Sequence, residues 1–162
     1  MHPRGRFRHS LSPPEGNMVD RSIRMIIEAK EVITCAEQTS VIEAARVMKR
    51  HRIGAIMVVE PGNKLIGIFT ERDALFRVLA EGRDLAGTRV ADVMTRNPES
   101  IHPGKQFAEA LQLMHQGRFR HVPVVEDGRA VGIVSASDAM GPELEAFVWE
   151  LLRQEQMGDV LA

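Results

Sequence analysis

The chain repeats itself, and that limits its fold more than any other feature. Shifted by 66, residues 32–60 lie on residues 98–126. Glu43, Ala44, Met48, Arg52, Val58, Val59 and Glu60 then meet Glu109, Ala110, Met114, Arg118, Val124, Val125 and Glu126. One residue drops out of the following turn. At a shift of 65, Gly67, Ile68 and Asp73 meet Gly132, Ile133 and Asp138, and Thr70 meets Ser135. A unit of about 60 residues is marginal alone, so two copies gain by sharing a core.

The copies share a pattern as well as letters. Val41, Ala44, Ala45 and Met48, like Phe107, Ala110, Leu111 and Met114, follow the i, i+3, i+4, i+7 spacing of an amphipathic helix. Ser40 and Glu43 form a capping box at the start of the first. Strands are expected at Val32–Cys35 and Glu99–His102 before these helices, and at Ile56–Val59 and Val122–Val125 after them. Turns at Pro61-Gly62-Asn63 and Asp127-Gly128 lead to strands Leu65–Phe69 and Ala130–Val134. Second helices follow near Thr70 and Ser135, the first ending at Gly82. An apolar lead-in precedes each unit: Ile23, Ile26, Ile27, then Val90, Val93, Met94 at the same spacing. The expectation is an α+β fold of two β-α-β-β-α units over residues 19–82 and 83–141. Residues 1–18, with the basic cluster Arg4, Arg6 and Arg8, are expected to be a disordered tail. Residues 142–162 are expected to form a helix with a stripe of Leu144, Phe147, Val148, Leu151 and Leu152, packed on the body or on another subunit.

Composition excludes several function classes. Lys and Arg total 21 against 22 Asp and Glu, which leaves no strong basic field for nucleic acid. Six Phe, one Trp and no Tyr provide few rings for stacking bases. Apolar runs such as Ala55–Val59 are far too short to span a membrane. The single cysteine, Cys35, lies in an apolar strand as a small core residue and fits a reducing cytoplasm. His102, His115 and His121 lack zinc-site spacing, and neither a phosphate loop nor an activated nucleophile is evident, so no enzyme is expected.

The chemistry-bearing motif is Gly-x-x-[Thr/Ser]-x-x-Asp, present as Gly67…Thr70…Asp73 and Gly132…Ser135…Asp138. It reads in two ways. The hydroxyl and the carboxylate three residues on form a capping box. The same groups place an anion site at a helix start and an acceptor for two adjacent hydroxyls, as in a ribose diol. Duplication behind a glycine-bearing strand favours the second reading. A further stretch, Arg118-Phe119-Arg120-His121, suits either a phosphate or a solvated strand edge.

The double unit, with His-Arg-Ile-Gly-Ala-Ile-Met-Val-Val at 51–59, Gly-Ile-Phe-Thr-Glu-Arg-Asp at 67–73 and Arg-His-Val-Pro-Val-Val at 120–125, closely resembles a tandem cystathionine-β-synthase-type (CBS) domain pair, or Bateman module, over roughly residues 20–140. The resemblance implies two repeats related by a pseudo-twofold with sheets packed face to face, two adenosine-binding clefts, and pairing into a homodimer. It implies one site with Asp138 for the ribose, Ser135, Arg120 and His121 for phosphate, and Ile33, Ile53, Gly54 and Ala55 about the base. The other would use Asp73 for the ribose, Thr70 and Arg72 for phosphate, and Thr95, Glu99 and Phe119 about the base. Gly54 and Ala55 replace the basic pair found at Arg120 and His121, so the Asp138 site ranks first. The expected ligand is an adenine nucleotide, AMP first, with ADP, ATP, NAD or S-adenosylmethionine as alternatives. The expected role is a cytoplasmic regulatory module that reports ligand state to a partner protein. The rival is a ligand-independent dimerisation or protein-interaction module.

Overall fold

In the computed structural model Asp20–Asp138 forms one compact unit. The structure describes residues 21–139, together with Phe147 and Leu151, which are helical. The expected tail at 1–18 and the rest of the expected terminal stripe, Leu144, Val148 and Leu152, lie outside the described residues.

The first repeat contains α1 (Ile23–Glu28), β1 (Thr34–Ala36), α2 (Val41–His51), β2 (Ala55–Glu60), β3 (Lys64–Thr70) and α3 (Glu71–Asp73). α3 runs on into a wide-turned helix, Ala74–Leu79, in which the Ala80 N–H reaches back to the Leu75 carbonyl. The second repeat contains a 3₁₀ turn at Val90–Asp92, β4 (Thr95–Arg96), α4 (Phe107–Gly117), β5 (His121–Glu126), β6 (Arg129–Ser135) and a 3₁₀ turn at Ala136–Asp138.

The repeat seen in the letters is kept in the backbone. α2 ends at Arg52 and α4 at Arg118, both with left-handed backbone, and each N–H caps the turn before it. β2 pairs antiparallel with β3 from Ala55–Thr70, and β5 with β6 from His121–Ser135. A bulge follows Val58 in one hairpin and Val124 in the other, at matching positions of the repeat. β1 pairs parallel with β2 through Cys35–Val58. The expected strand Glu99–His102 is reduced to one parallel bridge, Ile101–Val124, at the matching register. Pro98 and Pro103 flank it, and a proline cannot donate to a ladder. The expected Val32–Cys35 strand begins two residues later, at Thr34.

The two hairpins join at their turns, so one six-stranded sheet runs β1-β2-β3-β6-β5, with β4 on β3. The junction is the pair Lys64–Arg129, fixed by Asn63, whose carbonyl accepts from the Ala130 N–H at 2.9 Å and whose Nδ2 donates to the Ala130 carbonyl at 2.6 Å.

Each lead-in docks on the other repeat. Val90 N–H donates to Thr39 O and Val41 N–H to Thr88 O, while Ile23 N–H donates to Lys105 O and Phe107 N–H to Arg21 O. Val90, Val93 and Met94 are buried in the first repeat's core with Val41, Ala44, Met48, Ile56, Val58, Phe69 and Val78. The stretches that read as units on the sequence therefore exchange their first segments.

Two glycines permit this exchange. A Cβ at Gly67 would stand 2.4 Å from Met94 Sδ, and one at Gly132 would stand 2.7 Å from Ile27 Cβ. Ile27 meets Gly132 through a branched carbon next to its backbone, whereas Met94 offers a flexible thioether. Gly132→Ala is therefore expected to cost about 1–3 kcal/mol of stability in denaturant unfolding. Gly67→Ala should cost less, and equal losses would contradict this account.

Candidate functional site

β3 ends at Thr70, where the chain turns into α3, and the turn is held by a reciprocal cap. The Thr70 N–H and hydroxyl donate to Asp73 Oδ2 at 2.9 and 3.0 Å, and the Asp73 N–H donates to Thr70 Oγ1 at 3.2 Å. Asp73 is 8% exposed. Its Oδ1 lies 3.5 Å from Arg77 Nε, one turn on. Arg77 Nη1 also donates to the Val93 and Met94 carbonyls at 3.1 Å, which ties this helix to the exchanged lead-in. The cap thus occupies Oδ2, and an ionised carboxylate has further acceptor positions.

Beside Asp73 opens a cleft of about 730 Å³, within the range of small-molecule sites. Thr70, Arg72, Asp73, Thr95, Glu99 and Phe119 all line it, the six residues grouped together on the sequence. Arg120 and His121, grouped on the sequence with Asp138, line it too. The start of β5 lies between the two repeats, with His121 paired to Ser135 and the Arg120 carbonyl accepting from Ala136 N–H. Arg120 Nη2 turns to Glu71 Oε1 at 2.8 Å rather than to Asp138. Arg72 sits over the Phe76 ring, 5.8 Å from its centre.

The second carboxylate has different company. Asp138 Oδ2 accepts from the Ser135 N–H at 2.7 Å and the Ser135 hydroxyl at 3.3 Å, matching the two bonds that Asp73 accepts from Thr70, while Ser135 Oγ pairs with Ser137 Oγ at 2.7 Å. It also accepts from Lys30 Nζ at 2.5 Å, and the Asp138 carbonyl accepts from Arg21 Nη2 at 2.7 Å. Ile33 and Ile53 pack against the core of the first repeat. Ala55 pairs with Thr70, and Gly54 accepts the Glu71 N–H. A Cβ on Gly54 would stand 3.2 Å from the Glu71 carboxyl carbon, so the glycine leaves room for that side chain.

The sequence did not single out Lys30, Glu71, Arg77, Asn97 or Pro98. Asn97 and Pro98 lie between two residues that it did, Thr95 and Glu99. Lys30 stands 108 residues from its partner, and no local spacing announces it.

Burial holds the His121 imidazole below its ordinary value; Glu71 and Asp138 pull it up, Arg120 and Lys30 push it down. His121 is therefore neutral at pH 7. Burial pushes the Cys35 thiol up to about 11, which keeps it protonated and unreactive.

The fold and site define a pair of β-α-β-β-α repeats with a cleft at their junction. The CBS domain family model matches residues 23–80 and 90–141, and the chain belongs to that family as a tandem CBS pair. It is 37% identical over 123 residues, 74% of its length, to the mitochondrial CBS domain-containing protein CBSX3 of Arabidopsis thaliana. It is 41% identical over 108 residues, 67% of its length, to the CBS domain-containing protein YhcV of Bacillus subtilis, covering 76% of that protein. The chain spans 60% of the length of CBSX3 and 23% of a longer Arabidopsis relative, CBSCBSPB3. It superposes with TM-score 0.66 and 30% identity on a CBS domain pair solved with 5′-methylthioadenosine and S-adenosyl-L-methionine, over 73% of this chain and 91% of that one. Among the described residues no helix is long and apolar enough to cross a membrane.

The lowered His121 value has a stability consequence. Between that value and about 6.5 the unfolded chain holds more protons than the folded one, so stability rises with pH across this window. The penalty is complete below the window and absent above it. On acidification from about pH 7.5 to about pH 5.5, His121→Gln should lose less stability than the parent in denaturant melts. An identical loss would remove His121 as a cause.

Proposed function

We propose that this module binds an adenine nucleotide, AMP first, in the Asp73 cleft, and reports its occupancy to a partner protein through a homodimer. The observation that carries the reading is one cleft lined by a capped carboxylate, Asp73, together with arginines at 72, 118 and 120. In this reading Asp73 accepts from the ribose diol through positions the cap does not use. Thr70, Arg72 and Arg120 hold phosphate. Phe119, Thr95 and the Glu99 backbone flank the base. Four arginines and three carboxylates line the cleft, and neutral His121 adds no charge. This slight basic excess suits one phosphate better than three, hence AMP ahead of ADP, ATP and NAD. S-adenosylmethionine remains an alternative, supported by the neighbour solved with it. The first rank passes from Asp138 to Asp73 because arginines from the second repeat reach the Asp73 cleft, which offsets the missing basic pair at Gly54 and Ala55.

Asp73→Asn keeps an acceptor for the cap and removes the charge. It should weaken AMP binding about tenfold to a hundredfold in titration calorimetry, the scale of a lost charged hydrogen bond. Unchanged affinity would end the ribose role.

The homodimer is read from the outer face of the wide-turned helix, where Leu75, Phe76 and Leu79 are 50%, 55% and 67% exposed. An apolar cluster of this kind marks an interaction surface. Leu79→Glu should raise the dimer dissociation constant at least about tenfold in sedimentation equilibrium. The same face also favours the second reading, a dimerisation module with no ligand. A thermal-shift panel separates the two: a nucleotide at about 100 times its dissociation constant adds about 2.7 kcal/mol of stability, and no shift with any nucleotide supports the ligand-free module.

A further inference from the structure

In both repeats the carboxylate accepts from the N–H and the hydroxyl three residues earlier, yet the two carboxylates are not equivalent. Asp73 faces an open cleft and only a loose contact with Arg77 at 3.5 Å. Asp138 is held at 2.5 Å by Lys30 Nζ, from the end of the exchanged lead-in. Lys30 Nζ also reaches the Ile133 carbonyl at 3.5 Å, and the two side chains are 35% and 15% exposed. The lead-ins match at a shift of 67: Ile23, Ile26 and Ile27 correspond to Val90, Val93 and Met94. At that shift Lys30 corresponds to Asn97. Asn97 lines the Asp73 cleft and carries no charge.

We infer that Lys30 decides which of the two capped carboxylates takes nucleotide: its ammonium occupies Asp138 and keeps ribose from it. The inference rests on the nucleotide reading above. The physical reason is competition for one acceptor. Asp138 Oδ2 already accepts from the Ser135 N–H, the Ser135 hydroxyl and Lys30. A ribose diol donates through neutral hydroxyls and brings no countercharge, whereas the Lys30 ammonium makes an ion pair with the carboxylate as well as a hydrogen bond. Removing Lys30 from the carboxylate would also leave a mostly buried Asp138 without its countercharge. The opposite possibility is that Lys30 swings away to grip phosphate, which would make it an aid to binding. The two ideas predict opposite effects of one substitution.

The test gives Lys30 the residue of its repeat counterpart. Full-length parent, Lys30→Asn, Asp73→Asn and the double variant are titrated with AMP, and thermal melts confirm that each is folded. The parent should bind one AMP per chain and Lys30→Asn two. Asp73→Asn should lose at least about tenfold in affinity. The double variant should keep one tight site, now at Asp138. Lys30→Arg, which preserves the ion pair, should stay at one. Two AMP per chain in the parent, or one or none in Lys30→Asn, overturns the role of Lys30 while leaving the nucleotide reading in place if the parent binds. A parent and variants that all fail to bind overturn the nucleotide reading and this inference with it.

Discussion

The exchange of lead-ins between the repeats is the constraint on which the rest depends. A β-α-β-β-α unit of this size cannot close its own core, and the first repeat completes its core with Val90, Val93 and Met94 from the second. The reverse docking, with Ile23 and Arg24 bonded to Lys105 and Pro103, fixes the other end. Both contacts need backbone without a Cβ on the partner strand, hence glycine at 67 and 132. Because the segments cross over, whatever follows each lead-in is delivered to the opposite repeat. That is how Thr95, Asn97 and Glu99 come to face the helix start at Thr70–Asp73, and how Lys30 reaches Asp138. The cleft and its asymmetry both follow from the requirement to close two small cores.

The carboxylates serve a structural purpose in either case. Each closes a cap with the hydroxyl three residues earlier, and neither cap needs a ligand to be satisfied. The cap keeps the carboxylate in place, with one oxygen committed to the turn. An acceptor held in this way has lost its side-chain freedom before any ligand arrives, which is the advantage of preorganisation. The capping and binding readings of Thr-x-x-Asp are compatible: the first supplies the geometry that the second would use.

Glu71 lies against Gly54 and pairs with Arg120; His121 follows Arg120 and senses Glu71, Arg120, Asp138 and Lys30 together. The Glu71–Arg120 pair is exposed on both sides, so by itself it contributes little to stability. Its importance is positional. It ties the helix start of the first repeat to the strand start of the second, on the wall of the Asp73 cleft.

Most of the fold was legible because it is periodic. The helices at Val41–His51 and Phe107–Gly117, the two hairpins and the one-residue change of shift all stand where the letters repeat. The strand at Glu99–His102 failed because two prolines flank it, and a pattern matched to the first repeat overlooks a missing donor. At the site, Thr70, Arg72, Asp73, Thr95, Glu99 and Phe119, which the resemblance to a CBS pair groups together, line one cleft. Arg120, grouped there with Asp138, pairs instead with Glu71 and lines the Asp73 cleft. The sequence shows that a basic residue precedes β5, whereas its partner depends on where Glu71 stands across the junction. Lys30 was invisible for a related reason. Its counterpart Asn97 is polar but uncharged, so the repeat that revealed the fold conceals a position where the halves differ in charge beside the carboxylate. Similarity between the repeats built the two capped carboxylates, and a departure from it gives one of them a lysine partner.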